Sequence, residues 1–177
     1  MSKSLGNVVI PQFLVNEYGC DGARYLILTS ATLNGDGDIS LLKMKKKYNA
    51  DLANGLGNLI ARITKLCEKM TNNPISLETI TKNDDFNKIE SLVEEYRPDE
   101  AIKKIWDYIH ELDRQISVDK PWDLLGKQLD EKLEIYIKKM LIIGLSLEPF
   151  LPTTSVNIIN IFNKKNITKP TSFFLRK

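Results

Sequence analysis

Histidine is nearly missing from this chain: its 177 residues contain one, His110. A lone imidazole excludes a histidine-rich metal cluster and argues against a histidine-centred catalytic triad. Cysteine is almost as scarce. Cys20 and Cys67 lie far apart and lack the spacing of a metal site. With no leader-like segment in view, they point to a reduced, cytoplasmic setting. Long apolar runs are absent too. The longest candidate, Met140 to Leu145, is flanked by Lys138, Lys139 and Glu148. It falls well short of the roughly 20 residues that span a bilayer, so it reads as a buried helix and no membrane partner is expected. Neither sign of charge dominates: 25 Lys and Arg face 23 Asp and Glu, a net charge of +2. Binding to nucleic acid would therefore need a local patch. Strand signals, internal repeats and sustained heptads are lacking, which removes sheets, solenoids and long coiled coils.

What remains is helical. Hydrophobic residues make up 42 % and charged residues 27 %, enough for one packed core. Pro11 suits a first helical position and Gly19 can end that helix. Asp21 is placed to cap a second one, carrying Arg24, Tyr25, Leu26, Ile27 and Leu28. Leu33 to Asp38 is turn chemistry. It resembles a calcium loop only superficially, because the twelfth position counted from Asn34 holds Lys45 where that loop needs Glu. Ser40 is a good cap for a long helix from Leu41 to about Met70. Leu52, Leu56, Leu59, Ile60, Ile63, Leu66, Cys67 and Met70 form its buried stripe. Asn58 and Arg62, one turn apart, fall off that stripe on a face shared with Asp51, Lys65 and Lys69. Gly55 and Gly57, each unfavourable by about 1 kcal/mol in a helix, hint at close packing or close approach of a partner.

Further helices are expected at Phe86 to Tyr96, from Pro98 to Ile116, from Leu129 to Leu147, and from a Thr153 or Thr154 cap through Phe162. Trp106 falls on an apolar stripe and reads as core. Asp119-Lys120-Pro121-Trp122 is different. Proline pushes Lys120 out of the helical region and holds Trp122 on a rigid corner. The end, from Asn163 to Lys177, reads as basic and irregular. The fold class is thus all-α: a bundle of about five helices over 41–177, preceded by a loop-rich piece over 1–40.

The first seven residues, Met1-Ser2-Lys3-Ser4-Leu5-Gly6-Asn7, are polar and donor-rich. Lys3 is a compact cation of the kind that meets phosphate. Taken alone they read as a solvated tail. They also match the Lys-Met-Ser-Lys-Ser signature of class I aminoacyl-tRNA synthetases, less its first lysine. Tyr18-Gly19-Cys20-Asp21-Gly22-Ala23-Arg24-Tyr25 resembles the helix start that follows in that class, with Gly22 and Ala23 departing from its usual Ala-Leu. Tyr48 to Leu59 resembles the helix that begins the anticodon-binding domain of methionyl-tRNA synthetases. Lys120-Pro121-Trp122 and Leu147 to Pro152 are similar to two later blocks of that domain, and Ser172 to Arg176 loosely resembles its close.

The resemblance covers the whole chain and implies a specific role. The parent enzyme activates methionine with ATP, as its magnesium complex, and esterifies tRNA. Lys3 would be catalytic and Met1, Ser2, Lys3 and Ser4 would bind ATP. Asn58, Arg62 and Trp122 would bind the anticodon of tRNA(Met). The start within a motif implies that a nucleotide-binding half, with its His-x-Gly-His motif and methionine pocket, lies upstream. The chain alone would then bind no cofactor and be inactive; no metal site is expected in it. Two alternatives stay open: a stand-alone tRNA-binding module, or the same region of an isoleucyl, valyl, leucyl or cysteinyl enzyme.

Overall fold

The computed structural model describes residues 10–30, 40–70, 75–170 and 173–177. The expected phosphate loop Met1 to Ser4 and the turn stretch Leu33 to Asp38 lie outside the described residues. Those described form helices α1 (Pro11–Ser30), α2 (Leu41–Lys47), α3 (Asn58–Cys67), α4 (Asp84–Glu94), α5 (Pro98–Asp119), α6 (Gly126–Leu147) and α7 (Pro152–Phe162). A π-helical segment, Tyr48–Gly57, joins α2 to α3. No strand occurs among the described residues. The expected all-α bundle is the observed one. None of the described helices is long and apolar enough to cross a membrane.

Gly19 breaks α1 where expected. Its φ of 73° and ψ of 169° lie outside the helical region, in backbone space that glycine enters without a Cβ penalty. The half beyond it is tied to the bundle by three polar links. Arg24 donates to the carbonyls of Phe150 and Pro149 at 2.7 and 2.8 Å. The Tyr25 hydroxyl donates to Asp51 at 2.6 Å. Asp21 corrects an expectation: its Oδ2 accepts from the Thr154 amide and hydroxyl at 2.6 and 2.7 Å. It therefore satisfies the start of α7 across the fold. Neither Thr153 nor Thr154 caps α7; Pro152 occupies the first turn after Leu151, which makes no side-chain cap.

The long helix expected over 41–70 is not uniformly α. Ser40 caps it as anticipated, accepting from the Lys43 amide. The turns then widen to i→i+5 bonding between Tyr48 and Gly57. Each residue there advances by less than the 100° of an α-helix. Asp51 and Asn58 consequently do not share a face. Asp51 turns inward to Tyr25 and Lys47, while Asn58 is exposed. A Cβ on Gly57 would stand 3.0 Å from the Leu52 carbonyl of the same helix, so that glycine relieves the widened turn itself.

One apolar cluster runs through all of this, from Leu14 and Leu26 through Ile60, Ile105, Tyr136 and Ile143 to Phe162. Trp106 lies in it, 7 % exposed and stacked on Tyr25 at a centroid distance of 4.4 Å.

Candidate nucleic-acid interface

Two elements meet at the expected site. The first two turns of α3 present Asn58 and Arg62. The connection between α5 and α6 presents Trp122. There α5 ends at Lys120, whose φ of 45° and ψ of 56° are left-handed; the following proline disfavours the α region at that residue. Pro121–Asp123 makes one short 3₁₀ turn, with Pro121 buried and Trp122 48 % exposed.

The corner is braced from below. Asp119 accepts from the Tyr136 hydroxyl at 2.7 Å and from the Lys132 ammonium at 3.0 Å. Partial burial pulls the Asp119 carboxyl upward, but those hydrogen bonds outweigh it and hold the group below the usual aspartate range. Burial, joined by the hydrogen bond to Asp119, pushes the Tyr136 hydroxyl well above its ordinary value.

Asn58, Arg62 and Trp122 line one open pocket of about 360 Å³, together with Ala61, Lys65, Leu66 and Lys169. Asn58 and Arg62 come from one helix and Trp122 from a corner 60 residues later; the fold brings them together. Arg62 is half-buried and its Nη1 forms an ion pair with Asp113 of α5. That pair uses one of the guanidinium nitrogens and fixes the plane of the fork. Asn58 has no side-chain partner among the described residues, so its donor and acceptor both remain available. An exposed indole, an amide without a partner among the described residues and an oriented guanidinium are groups that can stack on a flat base and hydrogen-bond to its edges.

Three contributors escaped the sequence reading. Asp113 sits on the polar side of α5, where one acid among several carries no mark. Asp119 stood next to the Lys-Pro-Trp corner, but its partner Tyr136 is supplied by α6. Lys169 belongs to the segment expected to be irregular. Its described residues are irregular, yet docked. Lys177 and Asn49 exchange two hydrogen bonds of 2.9 Å, Arg176 donates to Asn54 at 2.8 Å, and buried Phe174 packs edge-to-face with the Tyr48 ring. A second opening of about 580 Å³ lies between this segment and the helix face bearing Asn54, Gly57 and Asn58.

Comparison with known proteins gives the family. Residues 1–64 match the family model described as tRNA synthetases class I (M). The methionine–tRNA ligase of Thermotoga maritima is 32 % identical over 89 % of this chain and 27 % of its own length. That of Mycoplasma genitalium is 32 % identical over 92 % of this chain and 35 % of its own. Among solved structures, Mycobacterium tuberculosis methionyl-tRNA synthetase bound by methionyl-adenylate superposes with a TM-score of 0.78 at 23 % identity, covering 99 % of this chain and 41 % of that one. The chain thus spans between about a quarter and two fifths of the length of these relatives. Similarity in sequence over most of its residues, and in fold over nearly all, makes it a member of the methionyl-tRNA synthetase family that corresponds to part of the longer enzymes.

Proposed function

We propose that this chain supplies two parts of a methionine–tRNA ligase: a phosphate-binding loop at residues 1–4 and, over 41–177, a domain that binds the anticodon loop of tRNA(Met). The observation that carries the reading is the shared pocket of Asn58, Arg62 and Trp122. Anticodon bases are unstacked in their loop, and proteins read such bases by stacking and by contacts to their edges. Trp122 offers the stacking face, worth about 1–3 kcal/mol per base. Asn58 and Arg62 supply the edge contacts.

The loop has a separate chemical role. Attack of a methionine carboxylate on the α-phosphate of ATP expels pyrophosphate, and negative charge builds on phosphate oxygens. The Lys3 ammonium, held at those oxygens with the hydroxyls of Ser2 and Ser4, stabilises the transition state more than the ground state. Methionine and the adenosine moiety would be bound by the nucleotide-binding half of the longer enzyme, which acts as this chain's partner. The isolated chain is then inactive in pyrophosphate exchange with methionine and ATP; robust exchange would refute that division of labour.

Binding tests the anticodon assignment directly. The chain should bind tRNA(Met) and lose affinity when the CAU anticodon is altered. Unchanged binding in both Trp122→Ala and Arg62→Ala would sink the assignment.

A further inference from the structure

We infer that Lys169 anchors a backbone phosphate of the bound RNA loop, beside the base that stacks on Trp122. The inference rests on the anticodon reading above and adds to it a contact that reads charge and not sequence.

Position is the first argument. Lys169 lines both the Trp122 pocket and the larger opening beside Phe174, as do Asn58 and Ala61. It therefore stands between two cavities, where a strand running from one to the other must pass. Charge is the second. Three cations rim the Trp122 pocket. Arg62 is paired with Asp113, and Lys65 is paired with Glu68 at 2.6 Å. Among the described residues no carboxylate lies within ion-pair distance of Lys169, so its charge is the one left uncompensated at that rim.

The chemistry of the group is the third. An exposed ammonium on a flexible stem has three donors and no acceptor. It meets phosphate as a point charge and suits the planar edge of a base poorly. Anchorage is the last. The segment that carries Lys169 is held on both sides, by buried Ile167 before it and buried Phe174 after it, then by the Asn54 and Asn49 contacts. The charge is thus delivered to a defined place by a segment whose described residues form no helix or strand beyond α7.

The test uses the full chain, an anticodon stem-loop RNA carrying CAU, the same RNA with an altered anticodon, and fluorescence anisotropy over a salt series. Lys169→Ala should weaken both RNAs by the same factor and reduce the slope of log K against log salt by about 0.7, the share of one single-stranded phosphate contact. Lys169→Arg should restore the slope. An unchanged slope in Lys169→Ala, with CAU still preferred, overturns the inference and leaves the anticodon reading intact. A loss confined to the CAU loop also overturns it, because the lysine would then be reading a base. If the unaltered chain shows no preference for CAU, the anticodon reading fails and this inference fails with it.

Discussion

The two tryptophans of this protein occupy opposite circumstances. Trp106 is 7 % exposed, stacked on Tyr25 inside the apolar cluster, and its indole nitrogen has no hydrogen-bond partner among the described residues. Trp122 is 48 % exposed on a corner whose backbone is fixed by Pro121 and braced through Asp119. One ring contributes area to the core. The other is held rigidly with a face left free, at low entropic cost for whatever stacks on it. The polar groups divide in the same way. Around Trp106 the polar groups of Tyr25, Asp51 and Lys47 pair with one another. Around Trp122 the Asn58 amide has no partner among the described residues and Arg62 is oriented by the Asp113 carboxylate. At the Trp122 corner, rigidity and availability coincide, which is why the proposed recognition is placed there.

Breaking the core side should give the largest effect. Trp106→Ala should cost about 3–5 kcal/mol of stability through the cavity it leaves, read as a lower urea midpoint, with RNA binding lost only where the chain unfolds. Asp21→Ala should cost less, about 1–3 kcal/mol, because the Thr154 amide loses its buried acceptor; chemical denaturation checks it. Trp122→Ala should move stability by under about 0.5 kcal/mol yet weaken RNA binding by about 1–3 kcal/mol. A stability loss matching that of Trp106→Ala would erase the contrast between the two rings.

Acid should sharpen the contrast at the base of the corner. Asp119 holds its proton less readily folded than unfolded, because hydrogen bonds from Tyr136 and Lys132 overcome its burial. Its contribution is therefore in full above the ordinary aspartate value of 3.8 and is lost as the pH falls through the lower folded value. The unaltered chain should lose stability more steeply with acidification in that window than Asp119→Asn, as thermal melts at stepped pH would show. The smallest effect concerns thiols. Cys67 is buried and its thiol is pushed up to about 12 by burial, whereas Cys20 is exposed. A thiol reagent should modify Cys20 in the folded chain and reach Cys67 only after denaturation.

The apolar stripes at spacings of three and four determined the helices, because burying one face per helix leaves few other solutions. Proline and glycine determined the breaks at Gly19 and the Lys120–Pro121 corner through local sterics alone. The order of motifs determined the family, and with it Asn58, Arg62 and Trp122 as candidates. What the sequence could not carry was anything set by a partner distant along the chain. A periodic pattern does not reveal that turns widen between Tyr48 and Gly57, so the face assigned to Asp51 was wrong. No local rule turns Asp21 toward the start of α7, pairs Arg62 with Asp113, or seats Tyr136 beneath the Trp122 corner. The docking of Lys177 on Asn49, which brings Lys169 to the pocket, likewise required the chain to close on itself. These are contacts between residues 17 to 133 positions apart, decided by which helices pack together, and only the tertiary structure decided them.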